Sequence, residues 1–134
     1  MPAELNDADY AILADFRFSL RQFMAFSEDR AGDHGLTPQQ HQALLAIRAA
    51  KGTGATIGYV ADRLILKPHS ASGLINRLVT LDLVERRASA TDRRQTHLVL
   101  TAQAHSILAQ LSSAHREEIL RLRPMLMDLL QKMV

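Results

Sequence analysis

At 134 residues the chain is long enough for one domain with a real core. No run approaches the roughly 20 consecutive apolar residues of a membrane span, and the acidic start "MPAELNDADYAI" lacks the pattern of a secretory leader, so a cytoplasmic location is expected. The absence of cysteine excludes disulfides, thiolate metal sites and thiol-based redox sensing by this chain. Net charge is only +2, but it is uneven, with seven bases against four acids between Thr56 and Leu100, five against seven before that stretch and four against three after it.

In chain order, Asp7 to about Asp29 reads as a long helix holding all four phenylalanines, Phe16, Phe18, Phe23 and Phe26. Most of its apolar positions fit ordinary core packing. Phe18 and Phe26 widen the apolar surface beyond one stripe, which points to burial against a second chain. "RAGDHG" (30–35) reads as a loop. Thr37, Pro38 and Gln40 then form a helix start, with Thr37 as N-cap, Pro38 at the first helical position and Gln40 placed to close a capping box. That helix is expected to run to about Ala50 and to bury Ala43, Leu44 and Ile47. The glycines of "KGTGA" (51–55) end it.

A short helix follows over 56–64, with Ile57, Val60, Ala61 and Leu64 inward. Tyr59, three residues after the Thr56 cap, cannot return the reciprocal capping bond. This tyrosine reads as exposed, with a phosphate contact as the other reading. After the turn "ILKP", Pro68 opens a helix whose apolar residues Ala71, Leu74, Ile75, Leu78 and Leu81 repeat at the spacing of one buried face. Its other face carries His69, Ser72, Gly73, Asn76 and Thr80, short groups with no acid among them. Such a face can approach an anionic, hydrogen-bonding surface closely, and a DNA groove is one.

Asp82 stands where the helix must stop and tolerates a left-handed backbone better than most residues. "LVERRA" (83–88) and "THLVLT" (96–101) are strand-like runs joined by a polar segment, a hairpin with Arg93 and Arg94 near its tip. Thr101 caps a last helix that reaches about Leu122, and Pro124 breaks it or opens the next. The chain thus begins and ends in apolar helices flanking a basic middle.

Four of these pieces together resemble the winged helix-turn-helix core of the MarR family of bacterial transcriptional regulators: "TIGYVADRL" (56–64), "SASGLINRL" (70–78), "LVERR" (83–87) and "DRRQTHLVLT" (92–101). With "LTPQQHQALLAI" upstream, the resemblance covers nearly the whole chain. It implies a mainly α fold with a small β-hairpin wing (α+β), in which 37–100 form a winged-helix DNA-binding lobe and 7–30 with 101–134 a helical dimerisation lobe.

The function implied is that of a homodimeric, sequence-specific transcriptional regulator, a repressor released by a small ligand. Two recognition helices would enter successive major grooves of an approximately palindromic operator. His69, Ser70, Ser72 and Asn76 are then the candidates for base edges, and Lys67 and Arg77 for phosphates. Gly73 stands where family members often carry a larger polar residue, so no base contact is assigned to it.

At the wing the resemblance assigns Arg94 to the minor groove, oriented by Asp92, with Arg93 beside it. Relatives commonly sense small amphipathic, often aromatic or anionic effectors in a crevice between the lobes. By analogy Phe16, Arg17 or His34 would line it. Six histidines include no His-x-x-His and no i, i+4 pair, so no metal site and no cofactor are expected. The alternative is a winged helix used for protein contact alone. An enzyme is not expected, because phosphate-cradling Gly-rich loops, Gly-x-Ser-x-Gly and cysteine nucleophiles are all absent.

Overall fold

The computed structural model describes residues 4–51, 54–88 and 96–133. Its elements are α1 (Asp7–Asp33), α2 (Pro38–Ala49), α3 (Ile57–Leu64), α4 (Pro68–Thr80), β1 (Val84–Ala88), β2 (Thr96–Leu100) and α5 (Ala102–Lys132). The fold is mostly helical with a two-stranded antiparallel hairpin, in which Val84 lies opposite Leu100 and Arg86 opposite Leu98. Ala55 adds an isolated antiparallel bridge to Leu98, whose N–H donates to the Ala55 carbonyl at 2.9 Å.

Helix starts follow local chemistry. At α2 the Gln40 N–H donates to the Thr37 hydroxyl (3.1 Å) and the Thr37 N–H to the Gln40 amide oxygen (3.0 Å). Asn6 and Asp9 form the same reciprocal pair at α1. At α3 only the Tyr59 N–H to Thr56 hydroxyl half exists, at 3.1 Å.

Helix ends share one device. After α1, α3 and α4 the backbone turns left-handed at Gly35 (φ 73°), Ile65 (φ 55°) and Asp82 (φ 59°). The next residue is a leucine in each case, and its N–H returns into the helix: Leu36 to the Ala31 carbonyl, Leu66 to Ala61 and Leu83 to Leu78. This is the Schellman arrangement, and it carries Leu36 and Leu83 into the core while Leu66 packs against it. Glycine adopts this backbone without penalty, whereas Ile65, a β-branched residue that is 93% exposed, holds it under strain.

The core joins α2, α3, α4 and the hairpin to the first half of α5, through Leu44, Val60, Leu74, Ile75, Leu78, Val84, Leu98, Leu108 and Leu111. Leu81, read from periodicity as inward, is instead 48% exposed. The helix ends at Thr80, so Leu81 no longer follows its rotation. Tyr59 also departs from its expected exposure: it is half-buried and packs against the core.

Two boundaries differ from the sequence reading. α1 runs on through 30–33, expected as loop, because Ala31 is fully buried and anchors that last turn while Gly35 supplies the stop. α5 continues through Pro124 rather than breaking. Proline there denies one N–H to the Leu120 carbonyl. Beyond it the helix remains packed on α1, with Leu129 buried and the Ser19 hydroxyl 3.7 Å from Met125 Sδ.

α1 buries only Ile12, Ser19, Ser27 and Ala31. Tyr10, Leu13, Phe18, Leu20 and Met24 are exposed, as are Ile119, Met127 and Leu130 on α5 and Met133 just beyond it. The expectation that most α1 apolar positions fill this chain's own core therefore fails, because the helix buries only a narrow line of residues against its own fold, with Phe16, Phe23 and Phe26 half-buried beside it. No helix among the described residues is long and apolar enough to cross a membrane.

Candidate nucleic-acid interface and a crevice behind it

α4 is held by one face and presents the other. Ala71, Leu74, Ile75 and Leu78 are buried, whereas His69, Ser70, Asn76 and Arg77 are exposed and Ser72 and Gly73 are half-buried between them. Lys67 precedes the helix, is exposed, and offers no side-chain cap, so the first-turn N–H groups have no side-chain acceptor from it. The described part of the candidate set is thus brought together along one open, acid-free strip. Asp92, Arg93 and Arg94 lie outside the described residues.

One member of that strip is already engaged. The Asn76 amide oxygen accepts a hydrogen bond from Arg86 Nη2 on β1, and the Asn76 carbonyl accepts from the Thr80 hydroxyl at 3.0 Å. Arg86 was not singled out by sequence reasoning. Its signal was present: in a strand, successive side chains point to opposite faces, so the pair in "ERR" must split. Arg87 takes the other side and pairs with Glu85 at 3.2 Å. The hairpin is tied to the end of α4 by Thr101, whose hydroxyl donates to the Asp82 carbonyl at 2.8 Å.

Behind this surface, where α1, α2 and α5 meet, lies a crevice of about 430 Å³. Phe23, Leu45, Ile119 and Leu120 give it apolar walls, and His41, His115 and Arg116 its polar side. The His115 Nδ1 sits 2.6 Å from the Leu111 carbonyl oxygen and therefore donates to it, and Nε2 meets the Ser27 hydroxyl at 2.8 Å.

His41 packs on that ring with centroids 4.9 Å apart. Burial, reinforced by the nearby His115, lowers the His41 pKa from 6.5 to about 4. The edges of Phe23 and Phe26 complete the setting, at 5.9 and 5.6 Å from His115. Phe16, Arg17 and His34 do not line this crevice. Among the described residues no group of three His, Asp or Glu side chains is arranged to hold a metal ion.

Residues 34–95 match the model of the MarR family. Similar solved structures include AbsC, a MarR family transcriptional regulator from Streptomyces coelicolor. It is 20% identical, with 90% of this chain and 81% of that one covered and a TM-score of 0.72. The Staphylococcus aureus MepR–DNA complex is 20% identical, covers 97% of each chain and has a TM-score of 0.69. YusO from Bacillus subtilis is 21% identical over 94% of this chain and 99% of its own, with a TM-score of 0.65. No curated protein sequence matches this one. At these identities the likeness to the solved structures carries the fold.

Proposed function

We propose that the chain, whose residues 34–95 match the MarR family model and whose fold is that of winged-helix MarR structures, is a MarR-family regulator acting as a homodimeric, sequence-specific DNA-binding repressor that a small ligand releases. The observation that carries this reading is the exposed, acid-free strip of α4 beside an arginine-bearing hairpin. In this reading 37–100 form the DNA-binding lobe, and 7–30 with 101–134 the dimerisation lobe.

His69, Ser70 and Ser72 sit in the first turns of α4, where a recognition helix meets base edges, and their hydroxyl and imidazole groups donate or accept as the base requires. Asn76 lies further along the same face. Lys67 and Arg77 hold phosphates on either side, which sets register without reading sequence. Asp92, Arg93 and Arg94 serve the minor groove as a wing.

Dimerisation is supported by the apolar residues that α1 and α5 leave exposed, Phe18 and Leu130 among them. Effector control is supported by the α1–α2–α5 crevice, whose apolar walls and Arg116 suit a small amphipathic anion. A ligand that fits only one angle between the lobes moves the two recognition helices off their spacing and releases DNA.

The test is a mobility-shift titration on the DNA upstream of the gene, and on random duplex, across a salt series. Wild type is expected to prefer the upstream duplex and to weaken steeply with salt, and Arg94→Ala to bind more weakly. Equal, weak binding to both duplexes would remove the case for specific control of this DNA and favour the protein-contact use of the fold.

A further inference from the structure

The two arginines of β1 differ in what they face. Arg87 is neutralised by Glu85 across 3.2 Å. Arg86 shares a strand face with buried Val84, lies opposite buried Leu98, and meets α4 with its guanidinium exposed at Asn76. An amide is neutral, so this bond aims the guanidinium without cancelling its charge. Arg30, Arg87 and Arg121 each have a carboxylate at hand instead. Among the described residues Arg86 forms no ion pair, and most of its five N–H donors are left over.

Asn76 has the converse problem. Bidentate reading of adenine requires the amide oxygen to accept from the base while the amide nitrogen donates to it. Here one of that oxygen's two lone pairs is committed to Arg86, which fixes the direction in which the amide points.

We infer that Arg86 is a DNA phosphate-binding residue, and that Asn76 is a positioning residue that acts through Arg86 instead of reading a base. The inference rests on the DNA-binding reading above and adds a residue to it. Together Asn76 and Arg86 tie the recognition helix to the root of the wing, so the two elements approach DNA in one fixed relation. With Arg77 one residue along α4, a pair of cations brackets Asn76.

The experiment is a fluorescence-anisotropy titration of upstream duplex, random duplex and a set of single-base-pair variants between 50 and 200 mM salt. It compares wild type, Arg86→Ala, Arg86→Gln, Asn76→Ala and the Asn76→Ala/Arg86→Ala double variant, with thermal melting of each as the folding control. Arg86→Ala is expected to weaken upstream and random duplex alike, by roughly tenfold for each subunit of the dimer. It should also reduce the slope of log affinity against log salt by about 1.8, one phosphate's worth from each of the two subunits. Arg86→Gln, which retains a donor for Asn76 without the charge, is expected to lose the same slope.

Asn76→Ala is expected to weaken binding less while keeping the ranking of the base-pair variants, and the double variant to match Arg86→Ala alone. Loss of preference at a single base pair in Asn76→Ala would overturn the positioning role. An unchanged salt slope in folded Arg86→Ala would overturn the phosphate role while leaving the DNA-binding reading intact. Absence of salt-sensitive DNA binding by wild type would overturn both.

Discussion

Unfolding titrations of the wild type are expected to lose on the order of 3 kcal/mol of stability as the pH falls from 6.5 to 4, through one buried side chain, His41. Its pKa is lowered from 6.5 to about 4, first by burial and then by the neighbouring His115. Between those two values the unfolded chain binds a proton that the folded chain refuses. Stability is therefore complete above pH 6.5, declines across the window at about 1.4 kcal/mol per pH unit, and levels off for this group below pH 4. His41→Gln removes the titration, so urea unfolding at a fixed protein concentration should show a shallower pH dependence in that variant. Parallel curves for the two proteins would mean that His41 does not carry the effect. The same protonation places charge beside the crevice, so effector binding and pH are expected to be linked.

Truncating a residue that seats α4 should have an effect of similar size. Leu78 is fully buried on α4, in the cluster shared with Leu44, Ile75 and Leu108. Leu78→Ala is expected to cost about 2–5 kcal/mol, the transfer of the side chain plus the cavity left behind. Leu81→Ala, three residues on and exposed, is expected to stay within about 0.5 kcal/mol. Thermal and urea unfolding of the pair tests the anchoring of α4. Equal losses would mean that the buried face of this helix extends past its end.

How far the sequence alone reaches is seen in the difference between these two leucines. Both fall on the same apolar period, and periodicity does not report that the helix stops at Thr80. Where the determinant was local the reading held: Thr37 with Gln40, Thr56 and Thr101 cap helices, Pro68 opens α4, and Asp82 takes the left-handed backbone.

Where the determinant was tertiary the reading did not hold. Ala31 extends α1 only because the core receives it, and α5 survives Pro124 because α1 lies alongside. Nothing in the spacing of His41 and His115 joins them, since the pair exists only through the packing of α2 against α5. The candidate groove residues were legible because one helix carries them all. Arg86 escaped notice because its role depends on a partner in a different element. The wing residues Asp92, Arg93 and Arg94 remain known from sequence alone.

Selection of binding sites from a random duplex library by the purified protein tests the central claim most directly, because it requires neither a known operator nor a known ligand. A homodimer with two recognition helices predicts enrichment of approximate palindromes, with half-site centres about 34 Å, one helical turn, apart. Enrichment of a single unrepeated half-site would contradict the dimeric mode of reading. No enrichment at all, from folded protein, would contradict sequence-specific DNA binding itself.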